Sequence, residues 1–254
     1  MRTNKFQDAD VLVQKLPSDM GIHRNPCKGT LNAPRKILEG LEFDEKVLVD
    51  EVFPDEFSLK QTQEKILANT RELSTYGRPL VSIGGDHSVT YPVARVLKQK
   101  HPEMKLLWLD AHLDVKEKVG DHVSHDVVVR QLVEENVFKP EEVYFLGFTK
   151  IDWDEKEYVE DKGFNFVKPE ELDQFLSNFE EPSYLSVDID VLISEVARGT
   201  GYPDGELDVE TVLDVIRKIR PLHADLVEVA PCLDEGGTVE AAQEVLQALL
   251  KNVR

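Results

Sequence analysis

The chain has 254 residues, 41% hydrophobic and 31% charged, and its 49 Asp plus Glu against 30 Lys plus Arg leave a net charge of −19 at pH 7. That length buries a core without cross-links, and the composition excludes disorder throughout. The acidic excess repels phosphate backbones and anionic headgroups, so nucleic acid and membrane surfaces are excluded as partners, whereas a cationic small molecule or metal is attracted.

Early in the chain, Lys46-Val47-Leu48-Val49 adds a strand. Pro79 to Ile83 predicts a buried strand that ends at Gly84-Gly85, after which Ser88 is placed to cap a helix reaching about Lys100. Strands follow at Lys105 to Leu109 and Glu142 to Leu146, with a helix at Val127 to Glu135 between them. Pro169 to Leu176 predicts a helix and Tyr184 to Val187 a strand. Val209, Val212, Leu213, Ile216 and Ile219 share one helical face, with Asp208 as the cap. Ala224 to Val229 is a further strand, and Thr238 opens a last helix to about Asn252. Alternating strands and helices, the strands apolar along both faces, predict an α/β fold: a mostly parallel sheet covered on both sides, over one domain spanning 1–254.

No membrane span is expected, because no run approaches the about 18 apolar residues one requires. The start of the chain shows no apolar leader, and Cys27 and Cys232 form no CxxC pair, so a reducing, cytoplasmic location is expected.

In open parallel sheets, ligands bind beyond the carboxyl ends of the strands. Those ends carry Gly84-Gly85-Asp86-His87-Ser88, then Asp110-Ala111-His112-Leu113-Asp114, then Asp188-Ile189-Asp190, with Glu228 near the end of its strand. Each cluster alone reads as helix capping. Together they bring five aspartates and two or three histidines to one edge, where like charges repel severely unless cations neutralise them. Imidazole mixed with several carboxylates suits Mn²⁺, Zn²⁺ or Fe²⁺, and bridging carboxylates favour two ions.

GGDHS, DAHLD and SVDID, in this order and spacing, resemble the three signature motifs of the ureohydrolase superfamily, which includes arginase, agmatinase, guanidinobutyrase and formimidoylglutamase. The resemblance implies the three-layer αβα sandwich of arginase-like proteins and two Mn²⁺ ions per chain. It implies that His87, Asp110, Asp114 and Asp188 bind one ion, and that Asp110, His112, Asp188 and Asp190 bind the other. It further implies catalytic roles for Asp114, which orients the attacking water, for Asp190, which passes a proton to the departing amine, and for His125, the proton shuttle. Glu228 matches the position that pairs with a substrate guanidinium. The expected substrate is a small cationic guanidino compound cleaved to urea and an amine, and the expected assembly a homo-oligomer, trimer or hexamer.

Departures from the family pattern bear on specificity. His122 rivals His125 as the shuttle. Val191 to Glu195 replaces an Asp-Pro pair, Tyr202 stands where Thr is common, and Gly205-Glu206 replaces Gly-Gly. The loop Val115 to Asp121 lacks the Asn, Thr and Ser side chains with which arginases hold an α-carboxylate, which counts against a strict arginase. Asp121 becomes the candidate for the distal amine of agmatine, and Lys116 or Lys118 for a carboxylate. Agmatine hydrolysis is the leading expectation, with arginase or formimidoylglutamase activity as the alternative. A deacetylase holding one Zn²⁺, or a non-catalytic metal-binding relative, are the competing classes; His87 and Asp190 argue against the first, and the rebuilt 191–206 loop is what keeps the second open. Asp152-Trp153-Asp154 lies near where members of the family read a substrate amino group, with a plain turn as the alternative, and His23, His101 and His223 read as ordinary loop or helix-end residues.

Overall fold

Among the described residues, eight strands pair side by side, every pair parallel, into one sheet. The computed structural model describes residues 1–22, 28–160 and 162–254; His23 and Cys27 lie outside the described residues. The strands are β1 (Val11–Leu16), β2 (Val47–Glu51), β3 (Leu80–Gly84), β4 (Lys105–Leu109), β5 (Val143–Leu146), β6 (Asn165–Val167), β7 (Ser183–Asp188) and β8 (His223–Val227), in spatial order β2-β1-β3-β8-β7-β4-β5-β6. The helices are α1 (Ala33–Ile37), α2 (Leu59–Ser74), α3 (Thr90–Lys100), α4 (Val128–Glu134), α5 (Trp153–Val159), α6 (Leu172–Asn178), α7 (Val209–Ile219) and α8 (Thr238–Asn252).

Successive side chains of a strand point to opposite faces, and this divides the core in two. Leu107 and Leu109 of β4 pack with residues of α1, α6, α7 and α8, whereas Leu106 and Trp108 pack with residues of α2, α3, α4 and α5. The result is the expected three-layer αβα sandwich. Register then sets the site. Leu226 of β8 lies opposite both Ile83 of β3 and Val187 of β7, and Val187 lies opposite Leu109 of β4. The segments leaving the carboxyl ends of the four central strands therefore emerge at one level.

Several boundaries differ from the sequence expectation. Asp86, not Ser88, does the capping: its carboxylate accepts from the Ser88 N–H at 2.9 Å over a single 3₁₀ turn, His87–Val89, and α3 begins at Thr90. Asp208 caps α7 as expected, accepting from the Thr211 N–H at 2.8 Å. Trp153 and Asp154 are not a turn but the start of α5, where Glu155 accepts from the Asp152 N–H at 3.2 Å. Gly85 is indispensable: a Cβ there would lie 1.7 Å from the Ser18 carbonyl oxygen. Cys232 is free and exposed, and among the described residues no helix is long and apolar enough to cross a membrane.

His101 stands at a helix end as expected, whereas His223 does not lie in a loop. His101 follows α3, where the helix end favours a positive charge, yet burial and then Lys100 lower its pKa. His223 is the first residue of β8 rather than a loop residue, and its Nδ1 accepts from the Leu80 N–H at 3.0 Å. Burial, then His101 and Lys100, push its pKa down to about 3. Below pH 6.5 the unfolded chain takes up a proton that the folded chain refuses, so stability falls with pH and the loss reaches about 2 kcal/mol at pH 5. His223→Asn offers an acceptor oxygen without that proton, so the drop in unfolding free energy between pH 6.5 and pH 5 should shrink by about 2 kcal/mol in urea melts. An unchanged drop would refute the buried neutral imidazole.

Candidate metal centre and active-site cavity

Three pieces of chain turn sharply just beyond β3, β4 and β7, and each turn is built by its own acidic side chains. Asp110 Oδ1 accepts from the His112 N–H at 2.7 Å, and Asp188 Oδ1 from the Asp190 N–H at 2.8 Å. Each carboxylate thus spends one oxygen on its own loop and turns the other inward. Asp110 Oδ2 and Asp188 Oδ2 both lie 3.1 Å from His87 Nδ1, and Asp114 Oδ2 lies 3.3 Å from it. On the other side, His112 Nδ1 is 3.0 Å from Asp190 Oδ2 and 3.4 Å from Asp110 Oδ1. His87 with Asp110 and Asp114, and Asp110 with His112 and Asp190, each converge tightly enough to hold an ion.

Electrostatics favour cations in both groups. Burial, then the charge of Asp110, push Asp114 up to about 7 and Asp190 up to about 6. Burial, then Asp190 and Asp110, carry Asp188 well above the carboxylate range. Burial opposes charge on His87, yet its contacts with Asp110, Asp114 and Asp188 raise its pKa well above normal. His87 Nδ1 and Asp110 Oδ2 are buried with no hydrogen-bond partner among the described residues, although both are strong bonding groups. Orphaned donor atoms facing one another, with imidazole and carboxylate as the donor set, fit divalent metals of the manganese or zinc kind.

Glu228 follows β8 and closes the floor. Its backbone N–H donates to the Gly85 carbonyl at 2.8 Å, and its Oε1 accepts from the His87 backbone N–H at 2.8 Å. Asp114 and Glu228 both adopt left-handed backbone angles, φ 51° and 62°. Such angles are costly for side-chain-bearing residues and gather at functional sites.

A cavity of about 160 Å³ opens over this floor, lined in part by His112, Asp114, Asp188, Asp190 and Glu228. His125 reaches it, with Nδ1 3.7 Å from Glu228 Oε1, whereas His122 is not on its wall. Tyr202, whose place in the rebuilt 191–206 loop bore on specificity, lines it too, as do Lys150 and Asp204, to which sequence reasoning assigned no role. The Tyr202 ring is parallel to that of His125, 6.3 Å between centroids, and edge-on to that of His112 at 5.9 Å. At the rim Lys116 pairs with Asp152, and Lys150 with Asp204, each at 3.0 Å. Asp121 is elsewhere: it is exposed and lines a separate groove with Lys118 and Glu135. The loop carrying it bends away from the cavity, so the only signal available, its place after DAHLD, pointed to the wrong wall.

The sequence profile of the arginase family matches residues 9–251. The agmatinase of Bacillus anthracis is 29% identical over 271 residues, covering 96% of this chain and 92% of that protein. The guanidinobutyrase of Pseudomonas aeruginosa is 32% identical over 174 residues, covering 62% of this chain and 54% of that protein. Among solved structures, proclavaminate amidino hydrolase from Streptomyces clavuligerus superimposes with a TM-score of 0.83 at 24% identity, covering 99% of this chain and 94% of that one.

Proposed function

The chain belongs to the arginase family and is a hydrolase, and from that premise we propose that it is a manganese-dependent ureohydrolase that cleaves agmatine, or a closely similar linear guanidino compound, to urea and an amine. The observation that carries the reading is the convergence of His87, Asp110, His112, Asp114, Asp188 and Asp190 beneath one cavity with Glu228 beside them. A wall much richer in carboxylates than in ammonium groups favours a cationic substrate, and the agmatinase relative points the same way.

His87, Asp110, Asp114 and Asp188 would hold one Mn²⁺, and Asp110, His112, Asp188 and Asp190 the other, with Asp110 and Asp188 shared. When bound, the ions supply Lewis-acid activation of a water at neutral pH. The remaining work belongs to the chain. Glu228 pairs with the planar guanidinium, whose forked donors match a carboxylate. Asp114 accepts a hydrogen bond from the attacking water and aims it at the guanidinium carbon. Asp190 takes up the proton that the water releases on attack and, as the C–N bond breaks, passes it to the departing nitrogen, which must leave as a neutral amine. His125, on the cavity wall beside Glu228, exchanges protons between the site and solvent. Tyr202 and the two rim ion pairs narrow the entrance. A cytoplasmic location and assembly into a homo-oligomer belong to the same reading.

The test is a screen of the Mn²⁺-loaded protein against agmatine, arginine, guanidinobutyrate, guanidinopropionate, guanidine and formiminoglutamate. Urea released from agmatine at the highest kcat/KM is the expected result. Formamide from formiminoglutamate alone, or no product from any compound with two ions bound, would overturn it.

A further inference from the structure

Behind His87, on the side away from the cavity, buried hydroxyls lead to a carboxylate that the reaction does not use. His87 Nε2 lies 2.8 Å from Ser186 Oγ, and Ser186 Oγ donates to Asp225 Oδ1 at 2.6 Å. Asp225 Oδ2 accepts from Thr90 Oγ1 and from the Tyr184 hydroxyl, each at 2.6 Å. All five side chains are buried, none more than 1% exposed. A sheet interior tolerates a carboxylate only when donors surround it, and three hydroxyls do so here. The His87 ring is held flat against Trp108, 4.0 Å between centroids and 7° apart.

The direction of these bonds has a chemical consequence. A serine hydroxyl carries one proton. Ser186 gives that proton to Asp225, so toward His87 it can only accept, and Nε2 must carry a hydrogen. The opposite nitrogen, Nδ1, is the one that faces Asp110, Asp114 and Asp188. With a hydrogen fixed on Nε2, the proton the ring gives up to a cation is the one on Nδ1, whose lone pair then serves that cation.

We propose that Asp225, acting through Ser186, is a positioning residue that fixes the ring orientation and proton placement of His87 so that Nδ1 is presented to a metal ion. The proposal rests on the reading of His87 as a metal ligand. A ligating histidine that donates its other N–H to a carboxylate network is oriented and made more basic, and losing such support costs about 10–100-fold in metal affinity. Neither Ser186 nor Asp225 touches the cavity, so their effect passes through the histidine.

The experiment uses protein with ¹⁵N-labelled histidines, and Mn²⁺ as the titrant. The wild-type protein should show a downfield, exchange-protected Nε2–H for His87, assigned by its absence from His87→Ala. Ser186→Ala should lose that resonance to exchange and weaken one of two Mn²⁺ sites by about 10–100-fold, leaving the other site and the circular dichroism unchanged. Asp225→Asn, which keeps shape and the Ser186 hydroxyl but loses the charge, should shift the resonance and weaken the same site. If His87→Ala loses a metal site while Ser186→Ala keeps both the resonance and wild-type affinity, the positioning role is wrong and the ligand reading stands. If His87→Ala binds both ions as tightly as wild type, the ligand reading itself fails.

Discussion

Replacing Asp188 with alanine should leave the protein folded but unable to retain two metal ions or to turn over a guanidino substrate. The side chain ends β7 and divides its oxygens between two tasks. Oδ1 holds the turn by accepting from the Asp190 N–H, and Oδ2 faces His87 Nδ1 across 3.1 Å. If both ions share this carboxylate, as proposed, it cannot be lost from one site alone. Metal content after dialysis should therefore fall from two ions per chain to fewer than one, and kcat/KM should fall by about a thousandfold or more, the scale of about 4 kcal/mol of Lewis-acid stabilisation. Asp188→Asn separates the two tasks, because its amide oxygen still accepts from the Asp190 N–H. It should preserve the melting behaviour of the metal-free protein while losing metal and turnover as completely as the alanine variant. Wild-type activity in Asp188→Ala would sink the shared-ligand assignment, and a wild-type protein that binds one ion per chain would favour the single-metal deacetylase chemistry instead.

The elements that position this carboxylate were legible because each β-strand of the centre is an apolar run that breaks into charge at one end. Leu107-Trp108-Leu109 giving way to Asp110-Ala111-His112 announces both the strand and its functional end. The rest was illegible for specific reasons. Helix α2, sixteen residues long, buries Thr62, Gln63 and Thr70 among Leu59, Ile66 and Leu73, so its inward face does not read as an apolar stripe. Strand β6 is three residues long and only its last is buried. Asp225 was hidden by its setting: a charge inside Ala224 to Val227 reads as a blemish in a strand until its three hydroxyl donors, two from β7 and one from α3, are brought together by the fold. That a carboxylate sits in a buried run was itself the available signal, since such groups persist only when satisfied. The left-handed backbone at Asp114 and Glu228 had no signal at all, because it depends on what the chain must reach and not on the residues that make the bend.

Glu228→Gln should make the metal-free protein more stable and the loaded enzyme nearly inactive. Glu228 is 6% exposed at a φ of 62°, and burial followed by the charge of Asp86 carries its carboxyl well above the ordinary range. Above pH 4.5 the unfolded chain releases a proton that the folded chain retains, so the folded state loses stability as pH rises. Glutamine removes that loss while keeping an oxygen for the His87 backbone N–H, which Glu228 Oε1 now accepts at 2.8 Å. Chelated samples at pH 7.5 should gain about 1–2 kcal/mol, a Tm rise of about 2–6 °C for a chain of this size, and the gain should fade as pH falls below 4.5, where both states become protonated. Turnover moves the other way. A neutral amide cannot supply the charged half of a guanidinium pair, and losing one partner of a desolvated pair costs about 3 kcal/mol or more, so kcat/KM should fall by at least about a hundredfold. A variant that melts lower and still hydrolyses substrate at the wild-type rate would mean that Glu228 is a structural carboxylate. The opposite pair of results would mean that the fold tolerates both a buried charge and a left-handed turn at this position because the substrate needs the charge there.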